Sequence, residues 1–349
     1  MTSTHPDIDY ANKAVLAPMV RIGTLPTRLL ALDYGADLVW TEELIDKRII
    51  GSVRQYNPAT GTIDYRKGKA KALTFSTCDA EKGKVILQLG TADADLALEA
   101  ALTVKQDVAG IDLNCGCPKK FSVHGGMGAA LLTNPDNLKK ILTNLVDHSG
   151  VPVSCKIRLL DTQEETIELV KMIVATGVKA LTVHCRTRNQ RSSEKAVWER
   201  LAEIVDVVKS ISDIPVIVNG DVYQYSDIEK AKEITHADSV MIARGAQLNP
   251  SAFRKEGLLP FDQYIKAYLT KKIQTIPDQI YMQVLKDLKT YHNYSNDIFG
   301  LTEYYEKTLA EQKARLEAYN EANEKTASTK REREEEEATS AEKKLKTEQ

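Results

Sequence analysis

No stretch of this chain stays apolar for the ~18 residues that a bilayer crossing requires. The opening run from Met1 to Tyr10 is polar and acidic, without the apolar core of a secretory leader. Both absences lead to the expectation of a cytoplasmic protein, with the nucleus as a second compartment, and of no membrane partner. Cysteine is sparse and odd in number. The five residues Cys78, Cys115, Cys117, Cys155 and Cys185 lie mostly in strand-like runs, which argues against a disulfide framework and for reduced thiols. Cys115 and Cys117 form a C-x-C pair, but neither a second such pair nor H-x₃-H accompanies it, so the ligand count speaks against zinc and no metal is expected. Charge of one sign is lacking as well: 47 Lys and Arg oppose 49 Asp and Glu. Bulk basicity therefore announces no nucleic-acid partner, and a polyanion site would have to come from local clustering.

Against these absences stands a regular alternation. Short apolar, β-branched runs recur at Ala14–Pro18, Asp37–Thr41, Val85–Leu89, Gly110–Asn114, Val153–Ile157, Ala180–His184, Val216–Asn219 and Ser239–Ala243. Most are separated by stretches with helical spacing, such as Asp93–Lys105, Pro135–Val146, Thr162–Thr176 and Trp198–Ile211. Asn134-Pro135 and Asp161-Thr162 read as helix starts. Eight strand–helix units in about 250 residues predict an α/β fold, a closed (β/α)₈ TIM barrel. The span Arg48–Thr77 interrupts the second unit with short extended pieces and turns, read as a hairpin insertion. After Gly257 the composition turns helical, with aromatics interleaved with lysine. From Asn320 onward there is no aromatic or β-branched apolar residue. The expected division is a barrel over 1–257, an all-α helical domain over 258–318 and a disordered charged tail, or a frayed helix, over 319–349.

The most informative run is Asp112-Leu113-Asn114-Cys115-Gly116-Cys117-Pro118-Lys119-Lys120. Pro118 cannot donate to a sheet, so a strand ends there and Cys117 falls at its carboxyl-terminal tip. In α/β proteins such tips carry chemistry. Cys115 is read as packing and Cys117 as a thiol that can give or take a proton. Lys156, inside the apolar run Val153–Ile157, is rarely tolerated there unless paired or used. His184 ends the next run. Asn219-Gly220-Asp221 and Ala243-Arg244-Gly245 follow the seventh and eighth strands, a corner where barrels commonly bind phosphate. Ala17-Pro18-Met19 stops pairing early at the first strand and leaves room for a planar ligand. Arg186, Arg188 and Arg191, with Arg158, Lys119 and Lys120 on neighbouring loops, gather basic charge on one rim, which suits a polyanionic substrate.

Taken together, Ala17-Pro18-Met19, Asp112-Leu113-Asn114 with Cys117-Pro118, Gly125-Gly126-Met127-Gly128, Lys156-Ile157-Arg158, His184-Cys185-Arg186, Asn219-Gly220-Asp221 and Ala243-Arg244-Gly245 resemble the tRNA-dihydrouridine synthases. The resemblance runs over residues 14–260, and within the family Val39-Trp40-Thr41-Glu42-Glu43 looks most like the eukaryotic enzymes acting at position 20 of the D-loop. It implies a monomeric flavoprotein with FMN in the barrel, NADPH as reductant and tRNA as partner. Hydride would pass from flavin N5 to C6 of a uridine, and Cys117 would protonate C5. It further implies that Ala17, Pro18, Met19 and Gln88 contact the flavin ring and that Lys156 lies at its N1/O2 edge. His184, Asn219, Gly220, Asp221, Ala243, Arg244 and Gly245 would hold the ribityl phosphate, and Asn114 would position the uracil. Lys119, Lys120, Arg158, Arg186, Arg188 and Arg191 would meet the tRNA.

Three other classes share parts of this pattern. They are an FMN reductase of a small molecule, of the dihydroorotate-dehydrogenase kind; an aldolase using Lys156 as a Schiff base; and a non-catalytic tRNA-binding protein that keeps the barrel. The arginine-rich loop after His184 and the added helical module speak against the first.

Overall fold

The computed structural model describes residues 8–275 and 301–347. Its first compact unit comprises residues 1–55 and 63–272, its second residues 56–62 and 273–349. Within the first unit eight parallel strands close on themselves: β1 (Ala14–Leu16), β2 (Leu38–Trp40), β3 (Val85–Gly90), β4 (Gly110–Asn114), β5 (Val153–Leu159), β6 (Ala180–Thr187), β7 (Val216–Asn219) and β8 (Ser239–Ile242). Each pairs with the next in chain order, and β8 returns to β1. The eight expected runs all form barrel strands, with boundaries moved by a few residues at their ends.

Two cores result from the two-residue period of the strands. Val15, Leu38, Trp40, Ile86, Ala180, Ile217 and Met241 point inward and pack with Tyr10 as the plug of the barrel. Ile111, Leu113, Val153, Cys155, Leu181, Val183, Val216, Val218, Val240 and Ile242 point outward, against the surrounding helices. Those helices are capped as their sequences require. Asn134 accepts from the Asn137 amide at 3.3 Å, and Thr162 with Glu165 forms a reciprocal capping box at the start of helix Gln163–Ala175.

The expected hairpin insertion is a three-stranded antiparallel sheet, Val53–Asn57, Thr62–Lys67 and Ala72–Thr77, and a two-residue strand, Leu44–Ile45, extends the barrel sheet beside β3. Arg28, on helix Leu25–Asp33, fixes this insertion. Its guanidinium donates to both Glu81 oxygens at 2.8 and 2.6 Å, to the Gly23 carbonyl at 2.8 Å and to the Ser76 carbonyl at 2.7 Å.

The helical region begins with Phe261–Thr275, and the units divide within that helix and not after Gly257. Lys271 explains the difference, since its ammonium pairs with Asp33 at 2.8 Å and holds the helix to the first unit. Residues 276–300 of the expected helical domain lie outside the described residues. In the second unit Gln312 donates to the Ile273 carbonyl at 3.2 Å, and Tyr56 packs on Tyr319 with ring centroids 6.2 Å apart. Over the tail, expected to be disordered or a frayed helix, one helix runs from Thr302 to Thr347. Glu, Lys, Ala and Gln are strong helix formers and are frequent along it.

Arg28 is 2% exposed and Glu81 fully buried. Removing one partner strands a buried charge, so Glu81→Ala is expected to cost roughly 3–5 kcal/mol. Urea unfolding of parent and variant measures it, and a loss under ~1 kcal/mol contradicts the clamp.

Candidate active site

The inward face of each strand changes character toward its carboxyl end. Below the mouth, Asp112 on β4 accepts from Gln88 Nε2 on β3 at 2.8 Å and from Ser154 Oγ on β5 at 2.7 Å, tying three adjacent strands. Asp112 is fully buried. Burial above all raises its carboxyl to about 6, against the stabilising bonds from Gln88 and Ser154 and the charge of Lys156. One register step nearer the mouth, Asn114 lies opposite Lys156 and His184 opposite Asn219. Alternation therefore sets these four side chains on one ring around the barrel opening.

They line a cavity of about 430 Å³ together with Ala17, Pro18, Met19, Gln88, Glu43 and Cys117. The Cys117 loop leaves β4 through an Asx turn. Asn114 Oδ1 accepts from the Gly116 amide at 2.9 Å and the Cys117 amide at 3.1 Å. Arg158 Nε grips the Gly116 carbonyl at 2.7 Å, and the Ala129 amide donates to the Cys117 carbonyl at 3.0 Å. Gly128 lets this loop close. Its φ is +57°, and a Cβ there would fall 2.4 Å from Ser122 Oγ and 2.7 Å from the Cys117 carbonyl oxygen. Cys117 is half-buried, whereas Cys115 is fully buried on the outer face with its sulfur 3.6 Å from that of Cys155.

The electrostatics of this ring are set by burial and by crowded positive charge. Burial first, then Arg158, lowers the Lys156 ammonium to about 8, with Asp112 opposing. Burial, then Lys156, Arg158, Arg186 and Arg244, depress the His184 imidazole far below its ordinary value, so it is neutral. Arg186 Nη1 lies 3.2 Å from His184 Nε2. A guanidinium can only donate, so Nε2 accepts and the imidazole proton sits on Nδ1. Burial pushes the Cys117 thiol up, the Glu43 carboxylate adds to this, and the Lys119 amide pulls the other way.

A second hollow of about 150 Å³ continues from His184 and Asn219 along Gly220, Asp221, Ala243 and Arg244. Gly220 has φ +116°, and a Cβ there would crowd Ala196 and His184 at 3.1 and 3.2 Å. Asn219 Nδ2 donates to the Met241 carbonyl, locking β7 to β8. Asp221 Oδ1 accepts from Arg186 Nη2 at 2.5 Å and Arg244 Nη2 at 2.6 Å, and its other oxygen takes the Ala196 amide. Asp221, expected among the residues that hold the ribityl and phosphate, lines this hollow and orients Arg244 beside it.

The rim is smaller than the sequence implied. Arg186 is 2% exposed, with Nε bonded to the Glu194 carbonyl. Arg158 is half-buried and spans the Gly116 and Thr187 carbonyls. The cause is again alternation, because Lys156 with Arg158 and His184 with Arg186 share the inward face. Lys119, Lys120, Arg188 and Arg191 remain exposed. Gly245 is packed under the Tyr223 backbone, where a Cβ would meet the carbonyl oxygen at 2.0 Å, so it shapes the turn without lining the hollow. Two acids had no role assigned from the sequence. Asp112 carried a signal, a carboxylate within an apolar strand run, whereas Glu43 gave none in a segment with several acids.

A closed eight-stranded parallel barrel whose carboxyl-terminal mouth gathers Lys156, His184 and an arginine-lined hollow places the chain among the parallel α/β-barrel proteins. The dihydrouridine synthase family profile matches residues 15–344, and the chain belongs to that family. It is similar to the "tRNA-dihydrouridine(20) synthase [NAD(P)+]" of Schizosaccharomyces pombe, 48% identical over 274 residues covering 76% of this chain and 57% of that protein. The Saccharomyces cerevisiae protein of the same name is 45% identical, covering 70% of this chain and 67% of its own length. A Homo sapiens "tRNA-dihydrouridine(20a/20b) synthase [NAD(P)+]-like" protein is 34% identical, covering 68% of this chain and 70% of that protein. The match thus spans little more than half of the Schizosaccharomyces pombe relative.

The lowered Lys156 value carries a stability consequence. Between pH about 8 and the ordinary 10.5 the unfolded chain binds more protons at this site than the folded one, so stability rises with pH across that window. Below it the buried ammonium is a full penalty. Lys156→Met is therefore expected to stabilise the ligand-free protein at neutral pH by roughly 1–3 kcal/mol and to flatten the rise. Denaturant midpoints at neutral and alkaline pH test this, and a destabilised variant at pH ~7 would contradict it.

Proposed function

We propose that the chain is an FMN-dependent tRNA-dihydrouridine synthase that reduces the C5=C6 bond of a D-loop uridine, at position 20, with NADPH as reductant. The observation that carries this reading is one cavity whose wall holds a thiol, Cys117, and a cation, Lys156, and which runs on into an arginine-lined hollow at strands β7 and β8. The fit of FMN rests on that hollow and on the donors along it. Arg244 and the glycine-opened backbone at Gly220 suit a phosphate, His184 and Asn219 suit a ribityl chain, and Ala17, Pro18 and Met19 leave a surface for a flat ring. Bound there, FMN would supply a hydride for C6 of the uracil.

The protein groups then have separable tasks. Lys156 offers positive charge to an anionic ring edge; its lowered value means that an anion beside it is favoured and brings the ammonium back toward full protonation. Neutral His184, with its proton on Nδ1, can donate one hydrogen bond without adding charge. As hydride reaches C6, negative charge builds on the O4 side of the uracil, and C5 must take a proton. Cys117 can give it, because a thiol held above its ordinary value is protonated at neutral pH. This is the opposite of the acidified thiolate that a nucleophilic cysteine needs. The Asx turn at Asn114 and the Arg158 grip hold that sulfur where a flipped base would enter.

The names of the similar proteins support tRNA as the substrate class and NAD(P)H as the electron source. The basic side chains left for tRNA are Lys119, Lys120, Arg188 and Arg191, since Arg158 and Arg186 are occupied within the fold. A cytoplasmic, monomeric enzyme with access to the nucleus completes the proposal.

Cys117→Ala is expected to lower single-turnover dihydrouridine formation by ~10²–10⁴-fold while flavin content and tRNA affinity stay near parent values. Turnover at the parent rate would exclude Cys117 as the acid. Replacing Arg188 and Arg191 by alanine should weaken tRNA binding and lessen the slope of log affinity against log salt by about one to two. A slope identical to the parent's would remove them from the interface.

A further inference from the structure

Glu43 is the one acid in the cavity wall that the proposed reaction does not use. It directly precedes the short strand Leu44–Ile45, whose pairing to Leu89 and Gly90 sets it at the carboxyl tip of β3, next to the tip of β4. It is 9% exposed, and Oε1 is buried without a hydrogen-bond partner. Among the described residues no basic side chain forms an ion pair with it. Its place is reserved by Gly90, where a Cβ would come within 2.6 Å of Oε1. A buried carboxylate with an open oxygen and no counter-ion costs several kcal/mol as a structural element alone, so its retention points to a task.

The groups facing it narrow the task. Burial raises the Glu43 carboxyl above its ordinary value, and the Cys117 thiol and the Asn114 amide on β4, with Lys119 farther along the same loop, oppose that rise and favour the carboxylate. Asn114 commits Oδ1 to the loop amides, which leaves its NH₂ as the group turned to the acid. Cys117 in turn feels Glu43, Lys119 and the Ser122 hydroxyl, and lies within the field of Lys156 and Arg158. Four cationic or hydrogen-bonding neighbours would favour a thiolate. Glu43 supplies the nearby negative charge that opposes them.

We infer that Glu43 is a positioning residue for Cys117: its carboxylate accepts the thiol hydrogen, and its charge keeps the sulfur protonated among the surrounding cations. The inference rests on Cys117 as the acid of the proposed reaction and adds what maintains it in that form. Without Glu43 the thiol would ionise at lower pH, and the site would hold a nucleophile in place of an acid.

The test is the pH profile of Cys117 alkylation by iodoacetamide, read by peptide mass spectrometry on the full chain without tRNA. In Glu43→Gln, alkylation at pH ~7.5 is expected to be about three- to tenfold faster than in the parent, because the thiolate fraction rises about tenfold for each pKa unit and outweighs the lower nucleophilicity. Glu43→Asp, with the charge withdrawn by one methylene, should move the profile the same way by less. An unmoved or alkaline-shifted profile in Glu43→Gln overturns the inference, and if that variant does not fold, the same result in Glu43→Asp does so. The two readings fail separately. Turnover of Cys117→Ala judges the acid, whereas the alkylation profile judges Glu43 with no flavin chemistry involved.

Discussion

Closure of the barrel is the constraint from which the site follows. Once β8 pairs with β1, every strand has a single inner face, and a two-residue period decides which side chains share it. The lower inner positions are apolar and fill the plug around Trp40 and Met241. Ascending, the same face passes through the Asp112 layer and reaches Asn114, Lys156, His184 and Asn219. A one-residue slip of β5 would trade Lys156 for Cys155 or Ile157 and send the ammonium into the helix layer, where nothing could solvate it. The polar ring is thus held in register by the energetic cost of every alternative. Asp112 adds to that hold by bonding both neighbouring strands directly beneath the ring.

What the ring holds is an excess of positive charge, buried at Arg186 and partly buried at Lys156, Arg158 and Arg244. Lys156, Arg158, Arg186 and Arg244 crowd His184 closely enough to keep it neutral; Arg158 also lowers Lys156, and Arg186 lowers Arg158, each after burial. Asp221 offsets part of this by sitting between two arginines, and Asp112 offsets part from below. The remainder is unpaid in the ligand-free protein and is the natural complement of an anion with charge at two places, one beside Lys156 and one beside Arg244. Preorganised charge of this kind needs no rearrangement when the ligand arrives, which is where a fixed polar site gains over water. The same excess threatens the thiol, because cations favour thiolate. A carboxylate near the sulfur answers that threat at a single point without neutralising the anion site.

Much of this was legible before any coordinates. The apolar runs announced all eight strands, because parallel strands covered on both sides must be apolar and brief. Pro118 announced the end of β4, and the lysine inside Val153–Ile157 marked a strand position that faces the barrel mouth. The misplacements have a common origin. Arg158 and Arg186 look like surface arginines in a linear reading, and only the extension of β5 to Leu159 and of β6 to Thr187 turns them inward. The edge of the second unit was misjudged because the composition shift at Gly257 marks where the barrel's last loop ends, whereas the Lys271–Asp33 ion pair is a long-range contact that no local pattern encodes. For the tail, composition left disorder and a frayed helix both open, and the helix is the form observed. A segment without apolar residues has nothing to bury, yet its helix formers suffice for a helix.

Glu43 was the least legible of all, and the reason is instructive. Acidic residues near strand ends are common and solvated, so neither type nor spacing sets this one apart. Its meaning comes from the strand Leu44–Ile45, two residues long, pairing with β3 at Gly90. That pairing removes water from the carboxylate and presses it toward β4, and only a glycine at position 90 leaves the space. Burial, absence of a cation and proximity to one sulfur are tertiary properties of three separate segments. Chemistry that depends on holding a proton, and not on giving up charge, calls for such an arrangement: a mildly acidic group shielded from its cationic surroundings by a neighbour whose own ionisation is costly. The carboxylate makes the thiolate less favourable and the thiol hydrogen makes the carboxylate more favourable, so at neutral pH the pair keeps its single proton on sulfur.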